Sequence, residues 1–413
     1  MQSCTYLIVG ASHAGLAALD AIRMFDADSP LIMASRESHL PYSPTVLPYV
    51  VSGRSIPEKV RLRSQDYFND KKVDFRRNAP LRSLDTEKKV AHFGDGTSIR
   101  FEHLLLATGA SPNLPPIPGL QDVPFQVLRT MDDALALKSA MTGAKRALVL
   151  GGGLIGTHAT ENLAEAGLQV TLVEAKGQLL PGYFDAAASG LIAKAFLAHG
   201  IDLVFGQAVG RIEPGVAVLE SGGEIPFDLL LVAAGVSPDL SYLERSGIKS
   251  ARGILVDPLQ RTSRPNIWAA GDCAESSLFQ TGGTGVAGIL PVAVEQGRIA
   301  GRSMAGDGAV KPFPGAVSLN TYTFFGQQAI SVGRCADDAG CESHVRQDEE
   351  QGSYLRLDLK DGRLMGAAAV NVALDPGILW QLILRRTDLG LVKQRFLADP
   401  KSIGRLVMAR EWK

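Results

Sequence analysis

Ala147-Leu148-Val149-Leu150-Gly151-Gly152-Gly153-Leu154-Ile155-Gly156 is the stretch that decides the fold. The apolar run reads as a buried strand, and the glycines open a helix that runs to about Ala166. The spacing Gly151-x-Gly153-x-x-Gly156 is that of a dinucleotide-binding turn. Gly151 permits the tight turn, Gly153 lets backbone amides reach a pyrophosphate, and Gly156 lets the helix lie close to the strands. The pyrophosphate then rests on the positive end of the helix, over Leu154 and Ile155. The next strand, Val170 to Val173, is closed by Glu174. A carboxylate there accepts a hydrogen bond from a ribose 2′-hydroxyl. It repels a 2′-phosphate by roughly 1–4 kcal/mol, about tenfold or more in affinity, which favours NAD over NADP.

Working outward, the same organisation occurs earlier in the chain. Tyr6 to Val9 is a short strand, Gly10-Ala11-Ser12-His13-Ala14-Gly15 a degenerate copy of the turn, and a helix follows from about Gly15 to Met24. Ser12 takes the second glycine position. The next strand, Leu31 to Ala34, runs into Ser35-Arg36-Glu37 rather than one clear acid. Leu104-Leu105-Leu106 leads into Ala107-Thr108-Gly109-Ala110, and Leu229 to Val232 leads into Ala233-Ala234-Gly235-Val236. Such small-residue turns let backbone lie close to a dinucleotide, although a plain strand-to-loop turn reads the same way. We read the two stretches as an internal duplication joined through a Pro-rich linker, Pro112 to Pro118. Further on, Ile267 to Ala270 runs into Gly271-Asp272, where the Asp either accepts from sugar-like hydroxyls or caps a helix. A helix is expected from about Pro291 to Met304. From about Leu319 strands give way to a closing helical stretch with an amphipathic Trp380 to Arg385.

With 413 residues the chain has room for two or three domains. The 44 glycines suit a fold with many tight turns, and a net charge near −1 supplies no basic field for nucleic acid or an anionic membrane. No apolar run reaches the ~18 residues of a membrane helix, and no secretory signal is seen, so a cytoplasmic location is expected. Cys4, Cys273, Cys335 and Cys341 form no Cys-x-x-Cys pair, which argues against a disulfide framework, a zinc site or an iron–sulfur cluster, and no metal site is expected. Cys335 and Cys341 are either a redox pair or two ordinary thiols.

Together these residues resemble the two-dinucleotide-binding-domain flavoproteins of the pyridine nucleotide–disulfide oxidoreductase family, over nearly the whole chain and in the family's order. The resemblance implies an α/β fold with two Rossmann-like domains. An FAD-binding domain (1–112 and 250–318) is split around an NAD-binding domain (113–249), and a C-terminal α+β interface domain (319–413) follows. It assigns Gly10, Ser12, His13, Ala14 and Gly15 to the FAD fingerprint, with Ser35 and Arg36 beside it. Thr108-Gly109 and Gly271-Asp272 become the further FAD motifs, Leu81 backbone lies near the adenine, and the segment around Pro291 faces the flavin ring. Gly151, Gly153, Leu154, Ile155, Gly156, Glu174 and Gly235 become the NAD site.

Two departures stand out. Relatives that reduce peroxide or coenzyme A disulfide carry a Cys where this chain has Thr45, and a hydroxyl forms neither thiolate nor sulfenic acid. Relatives commonly place a Glu where this chain has His158, with Glu161 one turn on; His158 either tunes the nicotinamide or fills space. Pro44, Thr45 and His158 are the flavin-adjacent candidates, and no acid–base residue is nominated. Three further segments, His39 to Gly53, Leu319 to Tyr322 with Phe324 to Gly326, and Gln381 to Leu389, are similar to the flavin subunits of phenylglyoxylate dehydrogenases and tungsten-containing aldehyde oxidoreductases. That narrower resemblance implies an FAD-dependent NAD(H) oxidoreductase. It would exchange electrons with an iron–sulfur subunit and reduce NAD while another subunit oxidises the aldehyde or 2-oxo acid. A free-standing NADH-dependent ferredoxin or rubredoxin reductase and a non-enzymatic NADH-responsive flavoprotein are the alternatives.

Overall fold

A computed structural model describes residues 1–334 and 340–411; Cys335, singled out above, and Trp412 lie outside them. The chain forms two compact units. The first is Met1–Leu47, Ser55–Ser111 and Val236–Ala316; the second is Pro48–Arg54, Pro112–Gly235 and Val317–Lys413.

The first unit is built on a seven-stranded sheet. β1 (Gln2–Val9) leads through the turn into α1 (His13–Phe25), then β2 (Leu31–Ala34), β3 (Val73–Arg76), β4 (Leu81–Asp85), β5 (Val90–Phe93) and β6 (Ser98–Leu106), in spatial order β3-β2-β1-β6-β5-β4. The nine-residue β6 forks. Its first half pairs antiparallel with β5, and Leu104 to Leu106 pair in parallel with a strand that returns much later, Ile267–Ala269. Side chains alternate across the sheet as the period of two requires. Leu7, Val9, Ile32, Leu104, Leu106, Ile267 and Ala269 pack on one face, and Tyr6, Ile8, Met33, Leu105 and Trp268 on the other. The second face is covered by α1 and the returning helix Leu290–Met304. These two helices cross closely because the contact is made of small residues. A Cβ on Gly297 would stand 2.1 Å from the Ala14 carbonyl oxygen, and one on Gly301 2.4 Å from that of Ala18.

The second unit repeats the pattern. β7 (Arg146–Leu150), α2 (Leu154–Glu165), β8 (Gln169–Glu174), α3 (Ala186–Ala198), β9 (Asp202–Phe205) and β10 (Leu229–Val232) give a parallel sheet of order β9-β8-β7-β10, the same order as β3-β2-β1-β6. A three-stranded meander over 209–226 stands where β4 and β5 stand in the first unit. The last hundred residues form an antiparallel sheet of β11 (Leu319–Phe324), β12 (Gln327–Gly333), β13 (Glu342–Asp348), β14 (Ser353–Lys360) and β15 (Arg363–Val370), followed by α4 (Pro376–Leu384). β14 buries both faces, including Tyr354, Arg356 and Asp358. Asp185, whose carboxylate caps α3, accepts from Tyr354 Oη at 2.5 Å and from Arg356 Nη1 at 3.4 Å; Arg356 Nε also donates to Asp358 at 2.9 Å. The buried Arg356 charge thus lies between two carboxylates, Asp185 and Asp358.

The division differs from the boundaries expected from the sequence. It falls at Gly235 rather than 249, because Tyr242 Oη meets Thr108 Oγ1 at 2.8 Å and Ser246 accepts from Thr86 at 2.7 Å. Residues 317–413 group with the NAD-type sheet through contacts such as that at Asp185. α1 begins at His13, two residues earlier than expected. The helices Met131–Ala140 and Ala186–Ala198 were not anticipated. Trp380 donates to the Val317 carbonyl at 3.1 Å and packs within its own unit. No helix among the described residues is long and apolar enough to cross a membrane.

Candidate functional site

At the turn of the second unit, the Gly151 N–H donates to Val173 O at 2.8 Å, and Ala233 N–H donates to Leu150 O at 2.8 Å. Gly151 has φ +112°, and a Cβ there would lie 2.4 Å from Ala233 O; one on Gly156 would lie 1.9 Å from Gly151 O. Both positions therefore require glycine for reasons internal to the fold. Gly153 is different: a Cβ there meets nothing within 4 Å. It caps α2 without any side-chain acceptor, so the first-turn amides face open space. Glu174 is fixed at the rim, with Gly152 N–H donating to Oε2 at 2.7 Å and Lys176 N–H to Oε1 at 2.9 Å. Each oxygen keeps a lone pair for a ribose hydroxyl.

The first unit reproduces this geometry. Gly10 N–H donates to Ala34 O and Ala107 N–H to Val9 O, both at 2.8 Å. A Cβ on Gly10 would lie 2.0 Å from Ala107 O, and one on Gly15 1.9 Å from Gly10 O. By register, Gly10 matches Gly151, Ser12 matches Gly153, Gly15 matches Gly156 and Ser35 matches Glu174. Gly109 and Gly235, at the same place after β6 and β10, both have positive φ, +73° and +88°. Ser12 caps α1 without a side-chain bond, so His13, Ala14 and Gly15 open the helix as an anion cradle. Ser35 puts a neutral hydroxyl where the second unit has a carboxylate, and it already accepts from Glu37 N–H at 3.2 Å. Arg36 donates to Ser111 at 3.2 Å. Ala79 N–H donates to Ser35 O at 2.8 Å, which brings the start of β4, Leu81, beside this end of the turn.

Gly271 and Asp272 follow the returning strand, beside the end of β6. Gln296 holds the turn, accepting from Gly271 N–H at 2.8 Å and donating to Ser276 at 2.8 Å. Pro291 lies in the first turn of the same helix, which also lacks a side-chain cap. Cys273 is fully buried and points its thiol at Leu106 O at 3.2 Å; burial pushes its pKa up, away from a thiolate. Pro44, Thr45 and Val46 form one turn of 3-10 helix, with Thr45 exposed. Thr45 Oγ1 lies 2.7 Å from Ser43 Oγ, which lies 2.8 Å from His13 Nε2. Burial lowers the His13 pKa, opposed by the charge of Asp272.

In the second unit His158 bonds Leu154 O through Nδ1 at 2.9 Å and meets Tyr322 edge-on, with ring centres 4.6 Å apart. Burial lowers its pKa. Glu161 accepts from Phe325 N–H at 2.8 Å. Ser43, Gln296 and Tyr242 escaped the sequence reading. Their partners lie 30, 25 and 134 positions away, beyond the reach of any local motif.

Two uncapped helix N-termini, the vacant space over Gly153 and the rim carboxylate of Glu174 fit two dinucleotides. Gly10, Ser12, His13, Ala14, Gly15, Thr108, Gly109, Gly271 and Asp272 stand where they would hold FAD. Gly151, Gly153, Leu154, Ile155, Gly156, Glu174 and Gly235 stand where they would hold NAD.

The family model described as pyridine nucleotide-disulphide oxidoreductase matches residues 4–297. The NADH-dependent phenylglyoxylate dehydrogenase subunit epsilon of Aromatoleum evansii is 50% identical over 418 residues, covering 100% of this chain and 99% of that protein. An NADH oxidase of Methanocaldococcus jannaschii is 31% identical over 73% of this chain and 70% of its own length. The solved structure of the covalent putidaredoxin reductase–putidaredoxin complex aligns over 99% of both chains with a TM-score of 0.87; at 22% identity that likeness concerns the fold.

Proposed function

The chain belongs to the pyridine nucleotide-disulphide oxidoreductase family, and on that premise we propose that it is the flavin subunit of a larger oxidoreductase, taking single electrons from an iron–sulfur subunit and reducing NAD. It is an NADH-dependent oxidoreductase with FAD and NAD(H) as cofactors. The full-length 50% identity to a phenylglyoxylate dehydrogenase subunit carries the finer reading. In it, a separate subunit oxidises an aldehyde or 2-oxo acid.

The bound flavin supplies the ability to accept electrons singly and give them up in pairs. The chain supplies position and charge. The amides of His13 to Gly15 would hold one pyrophosphate, and those of Leu154 to Gly156 the other. Glu174 selects the unphosphorylated ribose. Gln296 fixes the Gly271–Asp272 turn, from which the Asp272 carboxylate would accept from the sugar-alcohol chain. Thr45 presents a hydroxyl rather than a thiol, and Cys4 and Cys273 are buried, which favours electron transfer without a protein disulfide.

Gentle purification from the native host, with mass and metal analysis, tests the proposal. Stoichiometric partner chains with iron are the expected result, and tungsten would point to aldehyde chemistry. A chain that comes away alone with FAD and reduces dyes with NADH is a free-standing reductase instead.

A further inference from the structure

Making NADH from single electrons takes up a proton: two electrons, one H⁺ and NAD⁺ give NADH. The proton has to reach the bound flavin, and the first unit holds one hydrogen-bonded chain suited to carry it.

The strand order locates the flavin half of the dinucleotide. Ser35 occupies the place of Glu174 at the end of β2, so the adenosine lies on the β2 side of the pyrophosphate turn. The other half extends over the ends of β6 and the returning strand, toward Thr108–Gly109 and Gly271–Asp272. His13 opens α1 beside this turn: a Cβ on Gly271 would stand 3.1 Å from the Ala14 Cβ. From His13 Nε2 a line of hydroxyls runs outward: 2.8 Å to Ser43 Oγ, then 2.7 Å to Thr45 Oγ1. Ser43 is 6% exposed, whereas Thr45 at the end of the line is open. A hydroxyl both donates and accepts, so each link can pass a proton on and refill.

We infer that His13, Ser43 and Thr45 form a proton relay that serves the flavin, a step that rests on the NAD-reducing role proposed above. Thr45 takes a proton from solvent as its own hydroxyl proton passes to Ser43 Oγ and the Ser43 hydroxyl proton passes to His13 Nε2. The imidazolium so formed gives a proton to the flavin and returns to neutral. The two electrons come from a one-electron donor of the iron–sulfur class, and NAD⁺ accepts the hydride, so atoms and charge balance. Around His13, the turn after the returning strand brings Asp272, and the returning helix brings the neutral Gln296 and the Glu295–Arg298 ion pair.

The test uses the FAD-loaded protein with reduced methyl viologen as electron donor, so that no partner subunit is needed. FAD content, visible spectrum and flavin midpoint potential against pH are read alongside single-turnover NADH formation in H₂O and D₂O. Thr45→Val and Ser43→Ala should keep FAD and the wild-type spectrum while slowing NADH formation about a hundredfold, the low end for proton-transfer groups, with a larger solvent isotope effect. Thr45→Ser should restore the rate, and His13→Gln should remove the change of slope that His13 titration gives to the potential–pH plot. A Thr45→Val protein with wild-type rate and isotope effect overturns the relay. So does loss of FAD from both Thr45→Val and Ser43→Ala, which would make these residues part of the cradle. A wild-type protein that holds FAD and NADH yet makes no NADH from reduced viologen overturns the NAD-reducing reading itself.

Discussion

Gly153 and Gly156 are three positions apart and glycine for opposite reasons. A Cβ on Gly156 would strike the Gly151 carbonyl at 1.9 Å, whereas one on Gly153 would meet open space. Gly156→Ala should therefore lower the melting temperature. Gly153→Ala should leave the melt unchanged and raise the KM for NADH, because its methyl occupies volume reserved for the pyrophosphate. Thermal melts and steady-state kinetics on the pair separate the two. Glu174 offers a second check. Glu174→Ala should weaken NADH about tenfold, through loss of hydrogen bonds to a charged group worth ~1.5–3 kcal/mol, and should narrow the gap to NADPH; the ratio of kcat/KM for the two cofactors measures it. These roles were legible in the sequence because a turn, its helix and the next strand are contiguous. The His13–Ser43 contact was not, since it depends on a loop folding back across 30 positions.

Among the elements, the crossing of α1 with Leu290–Met304 has the least slack. Gly301→Ala would put a methyl 2.4 Å from the Ala18 carbonyl oxygen and 2.9 Å from the Ala21 methyl, forcing the helices apart. Overpacking of this kind costs roughly 1–3 kcal/mol. Because Gln296 on the same helix holds the Gly271 turn, the variant should lose FAD along with melting temperature, as fluorescence of released flavin would show. The sequence marked both helices within two residues, but not the crossing, because small residues reveal closeness only once the partner is known. It also missed Ala186–Ala198, whose apolar residues run nearly all round the helix and so carry no amphipathic period.

For the molecule as a whole, duplication was the most legible feature. β3-β2-β1-β6 and β9-β8-β7-β10 have one order, and the motifs that end their strands could be aligned by eye. The division of the chain was less legible, because it is set by side-chain bonds such as Thr108–Tyr242 rather than by a composition change. One buried acid ties the last sheet to the NAD-type sheet. Burial raises the Glu161 pKa above its ordinary 4.5, with the Phe325 N–H opposing. Folding thus favours the protonated form. The contribution of Glu161 is most favourable below that ordinary value and falls as pH rises through the raised one. Glu161→Gln keeps an acceptor for Phe325 and removes the dependence. Relative to wild type, the variant should gain in melting temperature as pH is taken from about 5 to 8.

The fork in β6 also has a consequence in time. Leu104-Leu105-Leu106 leaves the ribosome roughly 160 residues before Ile267–Ala269, a wait of roughly 8–30 s at ~5–20 residues per second. During that interval one side of the nascent sheet is a bare apolar strand edge, the kind of template on which other chains aggregate. Synthesis pauses before residue 269, or a shortage of chaperones, will therefore reduce the yield of this protein through its first unit, while the parallel sheet of the second unit has its last strand by Val232.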